Sequence, residues 1–449
     1  MRTSEISDPI PFSPNEKITG ILVFITVVIT AWALAGSARW VSSVFMGLSL
    51  ITAVFAVLIA KREGQRFNFK AFLPFLLFTV IVSIGMLNPS YAEVQKGIAV
   101  WAPRDAWLPW LPSVLNRTVA IEEVLPWLSA FLLGAALRQA DFGPRAVRWL
   151  WSALLVHGLL VAAAGLVFHL SDPMLILGHF YDKYGYHFSS FIYRNHWAAY
   201  VILLVTLALG FSFSALRRWA REYGRLDAVL PGLCIAVLLG LTLPIPGSRS
   251  GIVIVSTLLI GASLRGGWIL WNARSRRLIS NKHRIGVMIT VSFVVVTIGV
   301  GVLFNRAFIQ RHWDRTISQI HGIANGQDEL RVSLTKDTVR MALDRPVLGW
   351  GIGSFRYVFP KYQGDYLSDD QGKPIGQMHH AHNDWAEMWA ETGFLGLLVL
   401  LAPIAIRLRD IGRSRSVLSR WGGGAVILIL VYALVDFPFH NPAVLFLWV

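Results

Sequence analysis

Long apolar blocks separated by short charged segments decide the class of this 449-residue chain before any motif is considered. About 20 apolar residues in a helix cross the ~30 Å hydrocarbon core of a bilayer. Candidate spans run Ile18 to Ala35, Trp40 to Ala60, Ala71 to Leu87, Val119 to Leu137, Trp149 to Leu170, His196 to Phe213, Ala228 to Leu243, Ser250 to Leu264, Ile285 to Phe304, Gly393 to Ile406 and Gly422 to Val435. A stub from Ala443 to Val449 is too short to cross alone and is expected to be a helix whose remainder is missing. The runs lack the alternation of barrel strands, so each must close its own backbone hydrogen bonds as a helix. The expected fold is an all-α polytopic integral membrane protein of about 12 transmembrane helices. Only 15% of residues are charged, against about 25% in soluble chains. The expected organisation is nine spans in residues 1–304, a long hydrophilic loop in 305–392, and the last spans in 393–449.

The net charge of +15 would suggest a nucleic-acid partner in a soluble protein. Its distribution argues for membrane topology instead. With the N-terminus cytoplasmic, the inner segments 1–17, 61–70, 138–148, 214–227, 265–284 and 407–420 hold 24 of the 41 basic residues and 8 acids. The outer segments hold 17 basic residues, ten of them in one long loop that the positive-inside rule discounts. The excess cation therefore faces anionic inner-leaflet lipid, and no nucleic-acid partner is expected. Ala33-Leu34-Ala35 resembles a signal-peptidase site, but residues 1–17 are net acidic where a secretory signal is basic, so the first span is expected to be retained. The single cysteine, Cys234, excludes an intrachain disulfide and is expected to pack inside the bundle.

Polar chemistry collects on the outer side. Arg194-Asn195-His196 opens the sixth span, and Ser248-Arg249-Ser250-Gly251 forms the turn before the eighth. An arginine at a span end can simply snorkel to headgroups. Two facing the same compartment can instead grip a diphosphate through charge-assisted bonds, with the helix N-terminus near Ser250 adding backbone donors. In the long loop, Arg331 to Met341 predicts a helix, and Asp344 to Gly353 its stop and turn. Ser354 and Arg356 keep the glycines from completing a dinucleotide fingerprint.

The loop ends in Met378-His379-His380-Ala381-His382-Asn383-Asp384, followed by Glu387 and Glu391 at helical spacing. Three readings compete. His380 with His382 or Asp384 could ligate zinc, although a third and fourth ligand are not evident. One imidazole could act as a base near neutral pH. Or Asn383 or Asp384 caps the helix while the histidines stand in water. Trp385 and Trp389 are expected to anchor at the interface, as are Trp101, Trp107 and Trp110. Asp436 to Pro442 also lies outside, with no role assigned.

Arg194-Asn195, Ser248-Arg249, the turn from Pro346 to Phe355, and His382-Asn383 leading into Glu391-Thr392-Gly393-Phe394-Leu395-Gly396 together resemble the O-antigen ligase and polymerase superfamily. The resemblance spans roughly residues 190–400. It implies a glycosyltransferase in a bacterial inner membrane, its loop periplasmic, moving a glycan from an undecaprenyl diphosphate carrier to an acceptor such as lipid A core. It implies His382 as base and Arg194 and Arg249 on the donor diphosphate, with His380, Asn383 and Asn195 as auxiliary candidates. Displacement of a lipid diphosphate needs charge stabilised on the leaving phosphate and a base on the acceptor. Two arginines and a histidine can supply both, so an inverting, metal-independent transfer without cofactor is expected. Two alternatives stay open: a polymerase, whose acceptor is another carrier-linked glycan, and a transporter that moves the lipid-linked glycan without forming a bond.

Overall fold

The computed structural model describes residues 12–93, 101–103, 105–181, 186–222, 226–275, 330–364, 366 and 378–449. The described residues form an almost wholly helical bundle. Helices α1 (Pro14–Trp32), α2 (Arg39–Arg62), α3 (Phe69–Leu87), α4 (Arg117–Gln139), α5 (Pro144–Ser171) and α6 (Arg194–Glu222) come first. They are followed by α7 (Leu230–Gly240), α8 (Arg249–Ser275), α9 (Leu330–Asp344), α10 (Phe355–Val358), α11 (Asp384–Arg413), α12 (Val417–Tyr432) and α13 (Pro442–Trp448). Two small antiparallel pairs decorate loops: Tyr91–Glu93 with Trp101–Pro103, and Leu175–Ile176 with Phe180–Tyr181.

Among the described residues eight helices are long and apolar enough to cross a membrane, and α7 and α12 are shorter apolar helices. Each of the eight matches an expected span, often extended by a turn because capped polar residues continue the helix beyond the apolar run. The expected span Ile285 to Phe304 lies outside the described residues, so the count of 12 is not reached here. The stub folds as α13 and is packed rather than loose: Ala443, Val444 and Leu445 are fully buried, and Phe446 meets Phe45 edge-on at 5.3 Å.

Antiparallel alternation shows in long-range hydrogen bonds at one end of the bundle. The N–H of Asn15 donates to Glu63 at 3.1 Å, that of Gly143 to Glu16 at 2.7 Å, and that of Asn68 to Gln139 at 2.8 Å. The basic segments around Lys61, Arg138 and Arg145 adjoin these contacts, at the end expected from charge to be cytoplasmic. At its centre runs α6, 89% buried over its apolar window, against 17% for α8. Lipid is as apolar as leucine, so packing rather than hydrophobic burial holds spans together, and small residues let them approach. Gly232 of α7 sits against the Ala208 carbonyl and Gly251 of α8 against Ala198, where any Cβ would collide with α6. Cys234 corrects its expectation: it is exposed on the outer face of α7, because Gly232, Ala236 and Val237 take the buried side of that short helix.

At the opposite end the loop residues build a second small core. Leu334, Met341, Phe355, Phe359, Ala381 and Ala390 bury one another beneath α9, α10 and the start of α11. The expected helix Arg331 to Met341 is present as α9, and the glycine-rich turn after it docks onto α11. There the helix is interrupted at Gly393, whose φ of +67° only glycine adopts without strain. The interruption frees backbone groups that the turn satisfies: Trp350 N–H donates to the Ala390 carbonyl and Gly351 N–H to that of Glu391, both at 2.8 Å. In return Phe394 N–H donates to Pro346 at 2.8 Å. A Cβ at Gly393 would collide with the Val347 carbonyl, and one at Gly349 with the Glu391 carbonyl.

Candidate active site

Asp436, in the turn between α12 and α13, is where the separated segments meet. It is 1% exposed. The Asn195 side-chain amide, at the start of α6, donates to its carboxylate and also to the Tyr193 hydroxyl at 3.0 Å. The Ser248 hydroxyl, at the start of α8, donates to Asn195 Oδ1 at 2.9 Å. Arg331 of α9 places Nη2 3.7 Å from Asp436 Oδ2 and donates through Nη1 to the Val435 carbonyl at 2.8 Å. His382 puts Nδ1 3.8 Å from Asp436 Oδ1. Four chain segments thus converge on one carboxylate, Ser248 by way of Asn195. Burial opposes its ionisation, but His382, Arg331 and the Phe437 N–H hold it below the usual carboxylate range. Burial and the Asp436 charge push the nearby Tyr193 hydroxyl up to about 12, with Arg194 and Arg331 pulling the other way.

His382 sits on the last turn before α11. Asn383 caps that helix, accepting from the N–H groups of Trp385 and Ala386 at 3.1 Å. His382 itself has φ of +53°, uncommon for a residue with a Cβ. Three bonds hold it there: Ala381 N–H to Glu387 at 2.6 Å, and Asp384 N–H to Ala433 at 2.9 Å and to Asp436 at 3.3 Å. Its side chain is 24% exposed. Nδ1 is buried and has no hydrogen-bond partner among the described residues. The ring rests edge-on against Phe437 at 4.8 Å, and Phe437 in turn stacks on Tyr193 at 5.2 Å and on His380 at 4.8 Å.

Of the two arginines singled out in the sequence, Arg194 lies half-buried with its guanidinium 4.7 Å from the Tyr186 ring centre. Arg249 is half-buried directly after Ser248, beside Ser250, whose hydroxyl meets that of Tyr432 at 3.1 Å. Both therefore start helices whose first turns are tied to the Asp436 region. His380 is turned away from Asp436 into a second cluster. Its Nδ1 lies 3.0 Å from Glu387 Oε1, and so does His440 Nε2 at 3.2 Å; His440 Nδ1 lies 2.7 Å from Asp384 Oδ1. Burial opposes a charged imidazole at His440, yet Glu387 and Asp384 hold it well above the ordinary histidine value. Among the described residues, His380, Glu387 and His440 form a group that could hold a metal ion; it keeps His380 from the pairs considered from sequence and contains neither His382 nor Asp384.

Of the three loop histidines His379 is exposed, whereas the side chains of His380 and His382 are only 21% and 24% exposed, behind a helix that Asn383 caps. Trp385 and Trp389 are each half-buried, and their indole N–H groups donate to Leu430 at 2.9 Å and Pro346 at 3.1 Å. Trp107 and Trp110 are 73% and 72% exposed. Asp436, Arg331 and His440 went unassigned in the sequence. The acid and imidazole flanking Phe437-Pro438-Phe439, in a polar break between two apolar runs, were the available signal.

Chemically, a partly open imidazole backed by a buried carboxylate can take a proton, and the neighbouring guanidinium groups can hold an anion. Residues 234–401 match the family model for O-antigen ligase, a stretch that includes Arg249, Arg331 and His382 and leaves Arg194 and Asp436 outside. No curated protein matches the chain. The stretch 234–401 is similar to the O-antigen ligase family, in keeping with the resemblance carried by the motif order.

Proposed function

We propose that the protein transfers a glycan from an undecaprenyl diphosphate carrier to an acceptor hydroxyl at the periplasmic face of a bacterial inner membrane, ligation to lipid A core being the favoured outcome. The observation that carries this reading is the meeting of His382, Asn195 and Ser248 at Asp436, which brings the first turns bearing Arg194 and Arg249 to one end of the bundle. His382 takes the acceptor proton. Its buried Nδ1 faces Asp436, leaving Nε2 as the nitrogen for the acceptor, and the carboxylate stabilises the imidazolium that forms, as in other acid-histidine pairs. The acceptor oxygen attacks the anomeric carbon from the face opposite the phosphate. The new C–O bond forms as the bond to the carrier phosphate breaks, inverting the centre, and the diphosphate leaves with the electron pair. Arg194 and Arg249 hold that charge, which lets the step run without a metal on the phosphates.

Purified protein in liposomes with carrier-linked glycan and candidate acceptors tests the reading. Ligation yields a lipid A conjugate and polymerisation a lengthened carrier-linked glycan. Movement across the bilayer with no new bond would return the protein to the transporter class. Activity lost in EDTA and restored by Mg or Mn would reject a metal-free transfer.

A further inference from the structure

His440 faces carboxylate oxygens with both ring nitrogens. Nδ1 lies 2.7 Å from Asp384 Oδ1, while Nε2 lies 3.2 Å from Glu387 Oε1 and 3.7 Å from Glu123 Oε2. A carboxylate can only accept, and a neutral imidazole carries one N–H. With that proton on the short bond to Asp384, the Nε2 lone pair points at two anions, so a cation must lie there. A second proton or a metal ion satisfies this.

Charge and geometry favour the metal ion. Glu123, Asp384 and Glu387 bring three carboxylates to the cluster. Among the described residues the arginine paired there is Arg356, 3.3 Å from Glu123. Two of the three negative charges are then unmatched; one divalent ion balances both, whereas protons do so only by charging His440 and His380 together, with their ring centres 4.2 Å apart. His380 Nδ1 is 3.0 Å from the same Glu387 oxygen, and the three donor atoms of His380, Glu387 and His440 lie within 4.8 Å of one another. Separations of 3.0 and 3.2 Å are close to the ~3.3 Å edge of a zinc tetrahedron with ~2.0–2.1 Å bonds. Two imidazoles and a carboxylate suit zinc better than magnesium. Asp384 behind His440 is the carboxylate–histidine arrangement that orients a metal-bound imidazole.

We propose that His380, Glu387 and His440, with Glu123 or water as fourth ligand, bind one zinc-class divalent ion that clamps the segment before His382 to the turn after Asp436. The ion is structural and takes no part in the transfer, so the proposal does not depend on the glycan-transfer reading. The test is the metal content of the full chain, purified in detergent without a metal-affinity tag or chelator. About one zinc per chain is expected, retained in His382→Ala and falling below about a tenth in His380→Ala and in His440→Ala. Because those variants could misfold, the wild-type protein is also stripped and titrated with cobalt. The visible absorption of tetrahedral cobalt and a rise in Tm with added zinc are expected. A wild-type chain with less than about a tenth of an equivalent of zinc and no cobalt uptake would overturn the proposal and leave protons holding the cluster. Zinc persisting in both histidine variants would overturn it equally, by placing the ion elsewhere. Activity regained with zinc but not magnesium after chelation belongs to this ion rather than to the chemistry.

Discussion

Two histidine-bearing clusters flank Phe437, and they are built on opposite principles. Around Asp436, His382 is partly open, keeps a buried nitrogen without a hydrogen bond, and sits in a backbone conformation that costs energy. Around Glu387, His440 is 8% exposed, and each of its nitrogens faces a carboxylate. An unsatisfied, reachable imidazole is poised to exchange a proton; an enclosed, doubly engaged one is a fastener. The two clusters draw on His380 and His382, two residues apart in sequence, yet Phe437 stands between their duties, stacked on the one ring and edge-on to the other.

Mutations can break this contrast. The largest effect is expected from His382→Ala, which should lower glycan transfer by about 10³-fold or more, in the range for loss of a positioned base. Its melting temperature should stay near wild type in detergent, and near-normal transfer by this variant would remove His382 from the chemistry. Glu387→Ala should do the reverse, costing about 3 kcal/mol of stability by stranding buried His440. Thermal melts followed by intrinsic tryptophan fluorescence read that loss. Asp436→Asn should slow kcat by about 10²-fold with donor KM little changed, because the amide can occupy the space without stabilising the imidazolium. Smallest, Arg194→Lys and Arg249→Lys should each raise donor KM about tenfold, since lysine keeps the charge and loses the bidentate fork. A kcat loss with unchanged KM in the lysine variants would move those arginines from binding to another task.

The spans were legible because hydropathy and length suffice to define them, and the helix over Leu330–Asp344 because its stop signal is local. Of the candidate site, only part was singled out from residue type. Arg194, Arg249 and His382 announced themselves through residue type and a shared side, but Asp436 did not: its meaning lies in partners 241 residues away at Asn195, and no local periodicity encodes that pairing. Cys234 was misplaced for a related reason. Which face of a short apolar helix meets its neighbours depends on the glycines that let them approach.

The helix that presents Arg194 and Asn195 is wrapped almost completely by its neighbours, whereas α8 meets the surroundings along most of its length. Bilayer thickening or thinning acts on protein through lipid contact, tilting exposed spans at a modest cost per ångström. That leverage falls on α8 and hardly at all on α6. One arginine is therefore mounted on an insulated axle and the other on a spar the bilayer can lean on. Lipid composition should tune turnover through the Arg249 side of the site, leaving the Arg194 side fixed.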